Sequence, residues 1–281
     1  MPFFKRTDPH FASRALCLTF LLAGTTSRVL AADAGFADQS PEPFDQDRFI
    51  NEEAKPDWTI IVGAGAMYEP EYEGSDDMTA SPIPFIIINY GEWLEIDPSG
   101  VTVTALRHEG FALGAKIGYE IGRDEDDHER LEGLGDIDFA ATVGARASYN
   151  WNGLELYATV DQTINGSESL IGTFGLEYSA PVNERLILSA GAEAIVANDK
   201  HMEAYFGVTA AQSAASGLPQ YEAKAGLKRV NVSASATYLL SENWLVRGEA
   251  GVGFLTGDAA DSPIVEKDIQ PSASLFIGYK F

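Results

Sequence analysis

A single cysteine, Cys17, occurs among the 281 residues. Without a second thiol the chain cannot form an internal disulfide framework or a cysteine-ligated metal site. Histidine is also scarce, at four residues. No stretch approaches the roughly eighteen consecutive apolar residues that a membrane-spanning helix requires. Cations are few as well: 19 Lys and Arg stand against 42 Asp and Glu. Four of these cations (Lys5, Arg6, Arg14, Arg28) and one acid (Asp8) fall within residues 1–31, which leaves 15 basic residues against 41 acidic ones in the remainder. So acidic a chain repels nucleic acid and other anionic surfaces.

What is present begins with an export signal. Lys5, Arg6 and Arg14 precede the apolar run Ala15–Gly24, and small residues follow at Ala31 and Ala32. Positive, apolar and small-residue regions in that order read as a secretory signal peptide over residues 1–31. The run is about half the length of a helical span, and Cys17 lies inside it rather than after it, where a lipoprotein cysteine would stand. Residues 32–57 are rich in Asp, Glu, Pro and Gln without a sustained period, which predicts a flexible acidic leader.

From Trp58 onward the period is two. The end of the chain shows it well: Ala273, Leu275, Ile277, Tyr279 and Phe281 share one face, and Ser274, Phe276, Gly278 and Lys280 the other. Phe111–Gly122, Ile137–Tyr149, Leu154–Asp161, Arg229–Tyr238 and Trp244–Phe254 alternate in the same way. The polar faces are rich in Gly, Ser and Thr with charges of both signs, while the apolar faces end in Tyr, Trp or Phe near turns. A soluble sandwich would put its apolar faces inside; aromatic-ended apolar bands suit a lipid-facing exterior. The expected fold is therefore all-β, a single antiparallel transmembrane barrel over residues 58–281 in the bacterial outer membrane. It has about 12 strands, with 10 to 14 open. Short connections near Asn150–Gly153, Pro181–Glu184 and Leu240–Asn243 would be periplasmic turns, and the long polar ones near 69–80, 123–135, 198–220 and 257–268 outer loops. Pro82 and Pro84 are expected to start a strand, where the ladder can spare a donor.

Several separated motifs resemble the MipA/OmpV family of outer-membrane proteins. They are Tyr72-Glu-Gly-Ser75, Pro82-Ile-Pro84, Arg130-Leu-Glu-Gly-Leu-Gly-Asp136, Tyr205-Phe-Gly-Val208, Ala215-Ser-Gly-Leu218 with Tyr221, Gly257–Ile264 and the closing Gly278-Tyr-Lys-Phe281. The resemblance runs from about Trp58 to Phe281. It implies a non-enzymatic scaffold linking a lytic transglycosylase to a peptidoglycan synthase. It also implies contact with outer-membrane lipid and lipopolysaccharide, and insertion by the barrel assembly machinery with Tyr279 and Phe281 as the signal. Fold transfers within such a family more readily than role does.

The residues leave two further functions open. Lys116, Glu120, Asp138, Arg146, Glu155, Asp161, Glu177, Glu193, Arg229, Arg247 and Glu249 fall on the predicted lumen faces, where charges either pair across the barrel or line a narrow path. The acidic excess predicts cation preference if the path conducts. A barrel hydrolase would need a histidine beside a serine. Ser148, Ser189, Ser233 and Ser235 lie on lumen faces, but His108, His128 and His201 fall at a turn and in outer loops, so no catalytic residue is assigned. Asp258, Asp261 and Ser262 lack the alternating carboxylates of a calcium loop, and no metal or cofactor is expected.

Overall fold

The computed structural model describes residues 58–281; the signal segment, Cys17 and the acidic leader lie outside the described residues. Twelve strands pair antiparallel in sequence order and close into one barrel. They are β1 (Trp58–Pro70), β2 (Met78–Tyr90), β3 (Leu94–Asp97), β4 (Gly100–His108), β5 (Phe111–Glu120), β6 (Ala140–Trp151), β7 (Leu154–Ile164), β8 (Leu170–Asn183), β9 (Leu186–Ala197), β10 (Gly226–Leu239), β11 (Trp244–Leu255) and β12 (Ile269–Lys280). Closure is made by β1 against β12, from Ile61 opposite Lys280 to Tyr68 opposite Ala273.

Alternation decides which way each side chain points. On β12 Leu275 is 61% exposed and Ile277 45%, while Phe276 between them is buried. Ile117, Val143, Phe174 and Val232 likewise face outward, an apolar exterior suited to lipid. Two-residue turns at Glu109–Gly110 and Asn152–Gly153 have positive φ at both positions, the mirror-image geometry that matches strand twist and that Asn-Gly favours. Rings gather at this short-turn end: Trp58 lies 4.4 Å from Tyr90, Trp244 5.1 Å from Tyr279, and Tyr279 4.9 Å from Phe281. They form one interfacial belt.

Three features depart from the sequence reading. β2 starts at Met78, so Pro82 and Pro84 lie well inside it. They are accommodated because this part of β2 is bonded to β1 alone, and β3 pairs only with Ile88, Asn89 and Tyr90. β6 starts at Ala140 rather than Ile137, because Ile137 bridges Arg123 to close the loop below it. The long outer connections also carry helices. In α1 (Asp199–Phe206) Asn198 caps the first turn by accepting from the His201 amide. In α2 (Ala210–Ser216) Thr209 and Gln212 form a reciprocal capping box and Gly217 ends the helix in the left-handed region. The single turn α3 (Gly257–Ala260) follows β11.

Candidate functional site

Four outer loops fold inward over the barrel mouth and share one apolar core. Tyr72, Leu131, Leu134, Val208 and Ile264, one or two from each loop, form a buried cluster. Beside it Met202, Phe206, Ala223 and Ala259 pack onto the strand ends at Ala197 and Leu255. Polar ties fix the loops to one another. The Tyr72 hydroxyl lies 3.1 Å from the Ile264 carbonyl and 2.9 Å from the Glu266 carboxylate. Ser262 Oγ donates to the Phe206 carbonyl at 2.6 Å, Tyr221 to the Asp258 carbonyl at 2.9 Å, and Arg130 to the Pro263 carbonyl. Gln270 accepts from the Gly74 amide and donates to the Lys267 carbonyl. Burial, then the Glu266 carboxylate, pushes the Tyr72 phenol well above its ordinary value.

Beneath this cap runs a continuous polar chain. Glu73 meets Lys228 Nζ at 3.0 Å and Arg229 at 3.6 Å. Lys228 Nζ lies 3.2 Å from His201 Nε2, and His201 Nδ1 lies 2.9 Å from Ser169 Oγ. Ser169 is 2.5 Å from Ser167, whose hydroxyl donates to Glu120, and Tyr205 donates to the same carboxylate at 2.5 Å. Withdrawal from water pushes the Glu73 carboxyl up, but Lys228 and Arg229 outweigh it and the net shift is downward. Burial, then the Lys228 charge, holds His201 well below its ordinary value, so the ring is neutral.

The polarity of this chain is set by its lysine. An ammonium only donates, so His201 Nε2 accepts and Nδ1 carries the proton that goes to Ser169. The ring in this state has no free lone pair for the serine proton, which a nucleophile–base pair requires. The Ser169–His201 contact is thus a structural bond of the cap. Sequence reasoning missed it because Ser169 lies in a loop and His201 in a short helix of a different outer connection; the local signal is the Asn198 cap that positions His201.

Below the chain a cavity of about 500 Å³ occupies the lumen. It is lined by nine of the predicted lumen residues: Lys116, Glu120, Arg146, Asp161, Glu177, Glu193, Arg229, Arg247 and Glu249. Glu155 is buried in the wall, 2.9 Å from Arg146. Asp138 alone is not brought in; it lies exposed before β6. Most of these charges have partners. Arg247 meets Glu249 at 2.9 Å, Glu193 accepts from Tyr157 at 2.9 Å and Asn231 at 2.7 Å, and Glu177 accepts from Ser179 at 3.2 Å. Arg229 donates to Asn231 at 2.5 Å, and Lys116 is 3.9 Å from Asp161. One patch of the interior is apolar: Met67, Ile83, Phe85 and Phe276 form a cluster, with Phe85 and Phe276 edge to face at 5.6 Å.

The acidic outer loops show no metal geometry: among the described residues no three His, Cys, Asp or Glu converge as ligands. Asp258 instead accepts from the Lys224 amide at 2.8 Å.

Comparison with known proteins places this geometry in context. The family model described as MltA-interacting protein MipA matches residues 62–281. YiaT of Escherichia coli K12, named as an outer membrane protein, is 25% identical over 224 residues, covering 74% of this chain and 85% of that protein. Among solved structures the KdgM porin aligns with TM-score 0.40 and 7% identity over 79% of this chain and 99% of its own. The translocator domain of the autotransporter NalP from Neisseria meningitidis aligns with TM-score 0.39 and 12% identity over 84% and 91%.

Proposed function

Because the chain belongs to the MltA-interacting protein MipA family, we propose that it is a non-conducting, non-enzymatic scaffold in the outer membrane. Its periplasmic turns would hold a lytic transglycosylase beside a peptidoglycan synthase. The observation that carries this reading is the cap. Four outer loops share one buried core over the mouth, an arrangement suited to a rigid anchor rather than an open channel. At the other end the short turns present Glu92, Trp93, Glu109, Trp151, Glu184 and Glu242 to the periplasm, all exposed. Arg107 pairs with Glu92 and Arg185 stands beside Glu184, but the remaining excess of acids with two tryptophans suits a basic protein face, since aromatics supply anchoring area and charge steers encounter.

The test is capture of a purified lytic transglycosylase and a purified peptidoglycan synthase by the barrel in nanodiscs. Reversing Glu109, Glu184 and Glu242 to Lys should weaken capture at least tenfold and steepen its loss with salt. Capture by neither enzyme, or capture indifferent to the reversals, would remove the scaffold reading.

A second reading, the narrow cation-preferring pore, is favoured by the acidic side chains lining the cavity. It requires the cap to open, and it leads if the unmodified barrel gives cation-selective conductance steps. The third, a hydrolase, would need Lys228 to leave His201 Nε2 so that the ring could turn its basic nitrogen to a serine.

A further inference from the structure

Ten strands of the wall run ten to fourteen residues. β3 has only four and β4 nine, and their hairpin turns back at Pro98–Ser99, where Asp97 pairs with Gly100. The tip is seated on β5: the Tyr119 hydroxyl donates to the Pro98 carbonyl at 2.5 Å, and the Ser99 carbonyl lies 2.7 Å from where a Cβ on Gly118 would stand. β2 rises far past this tip. Of its thirteen residues only Ile88, Asn89 and Tyr90 pair with β3. Among the described residues Met78–Ile87 have no ladder partner on that side. A notch bounded by β2, β5 and the hairpin tip therefore interrupts the outer half of the wall. With two strands missing it is about 14 Å across, at roughly 4.8 Å per strand.

Hydrocarbon does not tolerate an open strand edge; such backbone persists at membrane depth only where protein or water reaches it. Pro82 and Pro84 lie in the open stretch and have no N–H to leave unpaired. The remaining edge needs polar company, and the lumen cavity supplies it, since Thr79, Ser81, Pro98, Ser99 and Tyr119 around the notch also line the cavity. Just inside, the strand register sets Glu95 beside Thr102, Thr102 beside Lys116, and Asp161 two strands beyond Lys116, across Gly144. Asp161 Oδ1 is buried without a hydrogen-bond partner. Among the described residues no cation lies within ion-pair distance of Glu95 or Asp97. The foot of the notch thus sets Glu95 and Asp97, which form no ion pair among the described residues, beside the Lys116 ammonium, whose ion-pair partner is Asp161 at 3.9 Å. Outside, Ala80, Pro82, Pro84 and Ile86 form an exposed apolar rail along β2.

We propose that this notch is a lateral portal through which the head group of a zwitterionic phospholipid enters the lumen while its acyl chains stay in the outer leaflet. The lipid ammonium sits against Glu95 and Asp97 and the phosphate against Lys116, and the chains lie along the β2 rail. The proposal is independent of the scaffold reading.

Native mass spectrometry of the barrel released from bilayers of equal phosphatidylethanolamine and phosphatidylglycerol tests it. Phosphatidylethanolamine should be retained, one per chain, at least fivefold over phosphatidylglycerol. Glu95→Gln and Lys116→Met should each reduce that retention severalfold while the folded, heat-modifiable form persists. A benzophenone side chain at position 80 should capture the same lipid by its acyl chain, a measurement that needs neither charge variant to fold. Equal retention of both lipids, or retention unchanged in both variants, would overturn the proposal. So would displacement by soluble phosphoethanolamine at the same concentration as the lipid, which would mean entry from water, or adducts to the chain's own residues 32–57.

Discussion

His201 has no room for a second proton: one ring nitrogen faces the Lys228 ammonium, the other gives its hydrogen to Ser169, and the side chain is buried. Its folded value lies well below the ordinary one near 6.5. Below about pH 6.5 the unfolded chain therefore binds a proton that the folded chain refuses, and stability falls as pH drops. Above that value neither state is protonated and the group contributes nothing to pH dependence. Glu73 acts in a later window. Its folded value is depressed from 4.5, so its stabilisation is present above about pH 4.5 and is lost as pH falls through the folded value. Limited proteolysis of the outer loops should accelerate in two steps, the first setting in as pH falls below about 6.5 and the second, steeper, below about 4.5. In His201→Gln the first step should vanish and the second remain; an unchanged first step would assign it to another group. None of this was legible in the sequence. Ser169, His201 and Lys228 come from a loop, a helix and a strand, with no shared period to announce them, whereas strand parity alone points Arg146 and Glu155 toward the same lumen.

Strands were readable where one face meets lipid and the other the lumen, because alternation then runs unbroken, as in β5, β7 and β12. Reading failed where that contrast lapses. Pro82 and Pro84 mark a strand with one bonded side rather than a strand start. The loop helices carry their own caps, Asn198 and the Thr209–Gln212 pair, but at eight and seven residues they are too short to show a sustained helical period. Their packing makes them structural. Phe206, fully buried between α3 and the strand ends, should cost about 3–5 kcal/mol when cut to Ala. Thr209→Ala, which loses only a cap, should cost about 1 kcal/mol. The order can be checked by the temperature at which each variant loses its compact gel mobility. If Thr209→Ala were the more damaging, the cap would depend on helix formation rather than on the apolar cluster.

Over the whole barrel, two opposed designs are set one above the other. The lumen is polar and acidic, as an aqueous path would be, and the outer loops above it share a buried apolar core, as the lining of a path would not. Conduction therefore depends on the cap and selectivity on the wall, and the two can be separated. In a planar bilayer the unmodified protein should insert and stay electrically silent. Phe206→Ala, by loosening the loops over the lumen, should introduce intermittent steps, and a salt gradient should show them to favour cations, because carboxylates outnumber cations along the cavity. Adding Glu249→Gln to that variant should leave step frequency unchanged and reduce cation preference, since the change lies in the wall and not in the cap. Steady steps from the unmodified barrel would mean that the cap breathes without help, and the pore reading would then displace the scaffold.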